Sequence, residues 1–199
     1  TGIQVGLGTR TAAVEKVYTV GDLENTGSEL DLAIEGDGFF QVALPDGETA
    51  YTRDGSLKKD STGRLVTADG NPLSPQIIIP ENATNISIGT DGTVVAYLDG
   101  ESTGVAIGTM ELARFGNPGG MKSLGGNLLS ATAASGDPIL GTPGSTGFGS
   151  IAQGFLEGSN VSIMKEMINL IAGQRAYEIN SKAIRAADEM LQQTNQMIG

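Results

Sequence analysis

From residue 160 onward, apolar and polar positions alternate with the period of an α-helix. Residues 160–198 contain no proline and one glycine, Gly173, and Ser159 or Asn160 is suited to cap the start. Apolar residues recur at steps of three and four, close to a heptad seam. The pattern therefore predicts one long C-terminal helix of coiled-coil type. The seam residues are Val161, Met164, Ile168, Ala172, Ala176, Ile179, Ala183, Ala186, Met190 and Met197.

A second apolar row is expected to lie beside this seam: Ile163, Met167, Leu170, Tyr177, Ile184 and Leu191. The helix would be about 55–60 Å long, which exceeds the width of the rest of the chain as a globule, so we expect part of it to project. Two apolar rows on a projecting helix need covering, and nothing upstream supplies a matching helix. We predict an interface between copies of the chain, composed of Val161, Met164, Met167, Ile168, Ile171, Ala176, Tyr177, Ile179, Ala183, Met190 and Leu191.

Residues 20–115 follow a different pattern, with short β-leaning runs separated by Asp-Gly pairs. Examples of the runs are residues 39–42, 77–79, 86–88 and 93–97. Both positions of an Asp-Gly pair tolerate positive φ, which favours two-residue hairpin turns. We therefore predict an antiparallel β domain, either a sandwich or an irregular barrel. The pairs are Asp37-Gly38, Asp46-Gly47, Asp54-Gly55, Asp69-Gly70, Asp91-Gly92 and Asp99-Gly100.

The composition changes again between residues 116 and 150, which include many glycines and only two charged residues, Lys122 and Asp137. Leucines and isoleucines in this stretch indicate irregular but mostly ordered structure packed on the β domain. The expected organisation is an extended N-terminal segment at residues 1–19, a β-rich outer domain at 20–150 and a linker with the assembly helix at 151–199. The fold class is thus mostly β with a long C-terminal α-helix.

Composition excludes several kinds of chemistry. The 199 residues include no His and no Cys, which removes thiol nucleophiles, imidazole acid–base catalysis and Cys/His zinc sites. The net charge of −11 would be repelled by nucleic acid and by anionic lipid, and no apolar run is long enough to span a bilayer. We expect no catalytic residue, no cofactor, no metal, no nucleic-acid partner and no membrane insertion.

The Asp-rich turns do not match the D-x-[DN]-x-[DN]-G spacing of a calcium loop, so hairpin turns explain them better.

Two functions of other classes stay open at this point, a glycan hydrolase and an adhesive domain. Two suitably separated carboxylates could hydrolyse a cell-wall glycan, although no local context favours any pair among the 23 acidic residues. A secreted β-rich binding or adhesive domain with an anchoring helix is the other alternative.

Long segments at both ends of the chain resemble the proteins of the bacterial flagellar rod and hook. The resemblance begins with residues 19–27 and 30–40 and continues with Tyr51-Thr-Arg-Asp-Gly55. It resumes with residues 156–161 and with Gln174-Arg-Ala-Tyr-Glu178 on the predicted helix. Within this family, residues 2–10 are most similar to the distal-rod members, and proximal-rod or other axial members are the alternative.

The resemblance implies a structural subunit, not an enzyme, of a hollow helical drive shaft that transmits motor torque to the hook. Its partners would be further copies of itself, other rod and hook subunits and the surrounding basal-body rings. It also implies type III export and a place in the flagellar basal body, from the periplasm to the outer membrane. Members of the family pair an N-terminal helix with the C-terminal one, and we expect that helix to be missing ahead of Thr1.

Overall fold

The computed structural model describes residues 10, 16–100 and 103–198. Most of the expected N-terminal segment 1–19 therefore lies outside the described residues. The chain divides into two compact units, a β unit that ends at Gly158 and a helical unit that begins at Ser159. Within the described ranges, no helix combines the length and apolarity that crossing a membrane requires.

The described part of the β unit consists of short strands with one 3₁₀ turn, η1 (Pro118–Gly120). The strands are β1 (Leu23–Asn25), β2 (Leu32–Glu35), β3 (Phe39–Ala43), β4 (Thr49–Thr52), β5 (Lys58–Lys59), β6 (Leu65–Val66), β7 (Leu73–Ser74), β8 (Ala83–Ile88), β9 (Thr93–Leu98), β10 (Val105–Thr109), β11 (Leu112–Arg114), β12 (Lys122–Gly125), β13 (Leu128–Ser130), β14 (Ile139–Gly141), β15 (Ser150–Gln153) and β16 (Phe155–Glu157).

The largest sheet is built around β3 in the order β12-β13-β4-β3-β11-β14, with β7 also paired to β3. Because side chains alternate along a strand, β3 contributes to a core on each face of this sheet. Phe40 and Val42 belong to the main core, whereas Phe39 joins Tyr51 and Phe115 in a smaller aromatic cluster. All named strand pairs are antiparallel, and the described strands form open sheets that do not close into a barrel. The predicted fold class is confirmed.

Asp-Gly pairs close hairpins, but in a longer form than the predicted two-residue turn. In the β3–β4 hairpin, the Gly47 amide donates to the Leu44 carbonyl at 3.0 Å, and the Leu44 amide donates to the Glu48 carbonyl at 2.9 Å. Gly47 has φ +86°, so the Asp-Gly pair ends a four-residue turn whose last residue is left-handed. The same bonding pattern recurs at residues 67–71 and 89–93.

Two Asp-Gly pairs close no hairpin. Asp37-Gly38 joins β2 to β3, which pair with different strands. Gly55 has no positive φ; it is required for space, because a Cβ there would overlap the Leu32 carbonyl. For these two positions the predicted hairpin turns are wrong.

The chain's C-terminal strands return to its N-terminal ones. β15 pairs with β2 and β16 pairs with β1, so residues near 25–35 lie beside residues near 150–157. β8, β9 and β10 form a separate three-stranded meander. The Gln153 side chain attaches this meander to β15, since its Nε2 donates to the Ile86 carbonyl at 2.8 Å and its Oε1 accepts from the Ile88 amide at 3.0 Å.

The helical unit contains α1 (Ile163–Ile198), whose 36 residues extend about 54 Å. The predicted long helix is confirmed, but its start lies after the predicted caps. Ser162 is the cap: its carbonyl accepts from the Glu166 amide at 3.0 Å and its Oγ from the Lys165 amide at 3.4 Å. The Ser159 hydroxyl instead accepts from the Val161 amide at 3.2 Å, a local turn that precedes the helix.

Candidate assembly interface

The described side chains of the two apolar rows of α1 are open to solvent. Ile168 and Ile179 on the seam are 65% and 66% exposed, and Tyr177 on the second row is 77% exposed. Burying each such side chain would contribute roughly 1.5–3 kcal/mol, so this surface has a large capacity for binding.

The predicted interface residues fall on α1 or just before its start. Val161 precedes the helix, and the side chain of Leu191 lies outside the described set. The other predicted side chains on the helix are all exposed: Met164, Met167, Ile168, Ile171, Ala176, Tyr177, Ile179, Ala183 and Met190. Their part in an interface stays a prediction.

The two rows occupy nearly opposite sides of α1 rather than adjacent ones. At 3.6 residues per turn, successive residues are rotated by about 100°, which separates the centres of the two rows by roughly 170°. Ile168 and Ile179 thus mark one face, and Tyr177 and Ile184 mark the other. Asn169 and Asn180 lie between the faces on one side, and Glu178 and Glu189 on the other. The helix can therefore present one apolar face to each of two neighbours.

The strand that leads towards α1 is fastened within the β unit by Arg53. Its Nε donates to Glu157 Oε2 at 2.7 Å, at the last residue of β16. Nη1 donates to the carbonyls of Gly36 and Gly38 at 3.0 and 3.1 Å, and Nη2 to that of Ile34 at 3.1 Å. A guanidinium suits this position because it offers several donors in a fixed plane.

The Asp54 carboxylate organises the next few residues of the chain. Its Oδ1 accepts from the Ser56 amide at 3.0 Å and hydroxyl at 2.6 Å, and its Oδ2 accepts from Asn127 at 3.1 Å. Burial of the carboxyl raises its pKa, but the hydrogen bonds from Ser56 and Asn127 outweigh burial and hold the pKa of Asp54 below its usual value.

A cavity of about 390 Å³ opens beside Arg53, with Tyr18, Phe39 and Phe115 in its walls. Burial raises the pKa of Tyr18, whose hydroxyl has no hydrogen-bond partner among the described residues. Among the described residues of the lining, Asp37 is the one carboxylate, whereas glycoside hydrolysis normally uses two. Across the described ranges, no group of three or more acidic residues could hold a metal ion.

Two family models match the chain. The D1 domain of the flagellar hook protein FlgE/F/G matches residues 33–96, and the C-terminal region of the flagellar basal body rod FlgEFG protein matches residues 152–197. The flagellar basal-body rod protein FlgG of Buchnera aphidicola subsp. Schizaphis graminum is 50% identical over 196 residues, covering 98% of this chain and 75% of that protein. FlgG of Borreliella burgdorferi is 48% identical over 192 residues, covering 96% of this chain and 72% of that protein.

The chain belongs to the FlgG family. This confirms the resemblance seen in the sequence and places the chain in the flagellar basal body. The flagellar hook protein FlgE of Salmonella typhimurium is also similar, at 42% identity, but over 112 residues that cover 56% of this chain and 28% of the hook protein. Similarity to FlgG thus extends over nearly the whole chain, and similarity to the hook protein over about half of it.

In this FlgG-family chain, the two matched regions contain the two ends of the Arg53–Glu157 contact. Arg53 lies in the D1 match, and Glu157 and α1 lie in the C-terminal match. The sequence drew attention to Arg53 only as part of the motif at residues 51–55 and assigned it no role. Its partner is 104 residues away along the chain, and no local pattern connects the two.

Proposed function

We propose that this chain is a structural subunit of the distal rod of the flagellar basal body, where it polymerises into a hollow helical drive shaft that transmits motor torque to the hook. Membership of the family supports a place in the rod. The observation that supports polymerisation is the exposure of both apolar faces of α1. Ile and Met side chains in such numbers are normally covered in the functional state of a protein.

Two opposite apolar faces on one helix favour an array over a closed pair. If one face of α1 binds a different surface on the next copy, the contact is head-to-tail, and repeating it builds a helical polymer unless the rotation closes. Alanines on the seam, such as Ala176 and Ala183, would let neighbouring helices approach closely. The predicted interface residues are the ones we assign to this contact.

The partners are other rod and hook axial subunits of the same family, and we further propose that the surrounding basal-body rings contact the outer surface. Residues 20–150 would form the outer layer of the rod, and residues 151–199 would supply the linker and assembly helix. The net charge of −11 would reduce adhesion between a rotating rod and the rings around it. Export through the type III pathway belongs to the same proposal.

We propose no catalytic activity. With no His and no Cys, the chemistry left to the chain is that of carboxylates, Lys, Tyr and hydroxyls. The described lining of the cavity beside Arg53 contains a single carboxylate. A glycan hydrolase would instead release soluble fragments from purified peptidoglycan, and we expect none.

Deletion of residues 160–199 tests the proposal against an adhesive domain. The full chain should pellet at rising concentration as tubular polymers visible by electron microscopy, alone or with the other axial subunits. The shortened chain should stay in the supernatant and fail to join those polymers. If the full chain stays monomeric throughout, or the shortened chain binds a cell-surface ligand as well as the full chain does, the proposal is wrong.

A further inference from the structure

We propose that Arg53 is a positioning residue for load transfer. It fastens the end of the strand that leads to α1 to β2 and the β2–β3 connection, so that force on the helix enters β2 at Glu157 and not only farther along the backbone, where β15 pairs with β2. This inference rests on the proposed function, because force on α1 matters only in a polymer that carries load. It assigns a mechanical part to a side chain within the β unit, which is not among the predicted interface residues.

The feature that needs support is the ribbon formed by β1 and β16. It is a two-stranded sheet with three paired positions, Leu23 with Glu157, Glu24 with Leu156 and Asn25 with Phe155. A two-stranded ribbon is marginally stable by itself. The backbone then continues through Gly158, whose amide donates to the Asp22 carbonyl at 2.8 Å, to Ser159 in the helical unit. Force on α1 arrives along this backbone.

Glu157 is fastened from two directions. Its Oε1 accepts from the Gly21 amide at 3.0 Å, which joins it to the segment before β1. Its Oε2 accepts from Arg53 at 2.7 Å, and Arg53 also donates to the Ile34, Gly36 and Gly38 carbonyls. The Arg53 and Glu157 side chains are only 17% and 11% exposed, so water competes weakly for these bonds. One guanidinium thus links the end of β16 to β2 and to the β2–β3 connection.

The geometry requires an arginine. A lysine has three donors at a single point and cannot reach a carboxylate and three carbonyls together. The chain offers a matched comparison in Arg64, which pairs with Asp60 at 2.8 Å but is four residues away within one hairpin, with 40% of its side chain exposed. Arg64→Lys therefore makes the same chemical change at an ion pair that fastens no distant strand.

Hydrogen exchange of backbone amides tests the fastening directly. In Arg53→Lys and in Glu157→Gln, the amides of β1 and β16 and of Gly158 should exchange roughly tenfold faster, because the ribbon opens locally while the rest stays folded. Amides of β3 and β4 should lose less protection than those of the ribbon, and Arg64→Lys should behave as wild type. If Arg53→Lys does not fold, Glu157→Gln decides. Unchanged ribbon amides, or equal loss of protection in every strand, would overturn the proposal.

Rods in living cells test the mechanical part. When the variant replaces the native subunit, Arg53→Lys rods should assemble in normal number but fail more often as the viscosity of the medium rises, whereas Arg64→Lys rods should not. Equal swimming of wild type and Arg53→Lys at every viscosity would overturn the load-bearing part. If wild-type chains form no rod at all, the proposed function is wrong, and the hydrogen-exchange measurement still tests whether Arg53 fastens Glu157.

Discussion

Arg53 and Glu157 meet at 2.7 Å although 104 residues separate them in the sequence. The contact connects the two regions in which the chain matches its family, the first through β2–β4 and the second through β16. Because both side chains are mostly buried and hydrogen-bonded, the pair differs from an ordinary surface ion pair, which contributes little.

Removing one partner of this contact should destabilise the β unit. In Glu157→Ala the Arg53 charge would stay buried with one acceptor lost, and breaking such a pair should lower the free energy of unfolding by about 2–3 kcal/mol. Urea unfolding followed by near-ultraviolet circular dichroism, which reports the packing of buried aromatic side chains such as Tyr51, measures the loss. Arg64→Ala removes the exposed ion pair and is the control, with a much smaller loss expected. Equal losses in the two variants would contradict the prediction.

Asp54 should make the free energy of unfolding of the β unit fall at acid pH. Its pKa is lowered in the folded state, so the unfolded chain binds the proton more readily. The contribution of Asp54 is therefore complete above the unfolded pKa of about 3.9 and is lost as the pH falls through the lower folded value. The difference in unfolding free energy between wild type and Asp54→Asn should be constant from about pH 7 to 5 and shrink below about pH 4.

Ser56→Ala provides the complementary measurement. It removes the hydroxyl that donates to Asp54 at 2.6 Å, so the folded-state pKa of Asp54 should rise towards the unfolded value. The acid-induced loss should therefore be smaller and should be complete at a higher pH than in wild type. A pH-independent difference between wild type and Asp54→Asn would show that the carboxylate contributes nothing in its ionised form.

The long helix was predictable because its signal is local and repeats over ten turns. The start of the helix was less certain, since Ser159, Asn160 and Ser162 are all good caps, and only the Ser162 bond to the Lys165 amide decides among them. The opposite placement of the apolar rows follows from helical geometry alone. It could have been obtained from the sequence by projecting Ile168 and Tyr177 at about 100° per residue.

The β unit was predictable in class but not in pairing. Asp46-Gly47 and Asp91-Gly92 mark hairpins because adjacent strands pair locally. The pairing of β1 with β16 joins residues more than a hundred positions apart, and no turn signal records it. Gly55 illustrates the same limit, because the Leu32 carbonyl of β2 occupies the space that a Cβ at residue 55 would need. Non-local contacts of this kind also form the Arg53 site, and the sequence indicated that site only through a motif.

A charge on the seam face of α1 should block assembly without unfolding the β unit. Ile168→Asp or Ile179→Asp loses a contribution of roughly 1.5–3 kcal/mol, so the concentration needed for polymerisation should rise at least about tenfold. Co-sedimentation measures assembly, and circular dichroism verifies that the β unit is folded. Asn180→Asp adds the same charge between the two apolar faces and should assemble nearly as well as wild type. Normal incorporation of both isoleucine variants would count heavily against α1 as the assembly surface.

Changing only the opposite face should produce a subunit that stops growth. Ile184 is 63% exposed on the face that carries Tyr177, so Ile184→Asp leaves the seam face intact. If the two faces contact different neighbours, this variant should add to a growing polymer and then prevent the next addition. A small fraction of Ile184→Asp mixed into wild type should therefore shorten the polymers seen by electron microscopy. The double variant Ile168→Asp, Ile184→Asp can bind through neither face and should leave wild-type polymers at full length. If the single variant were as inert as the double one, the two faces would be acting as one surface.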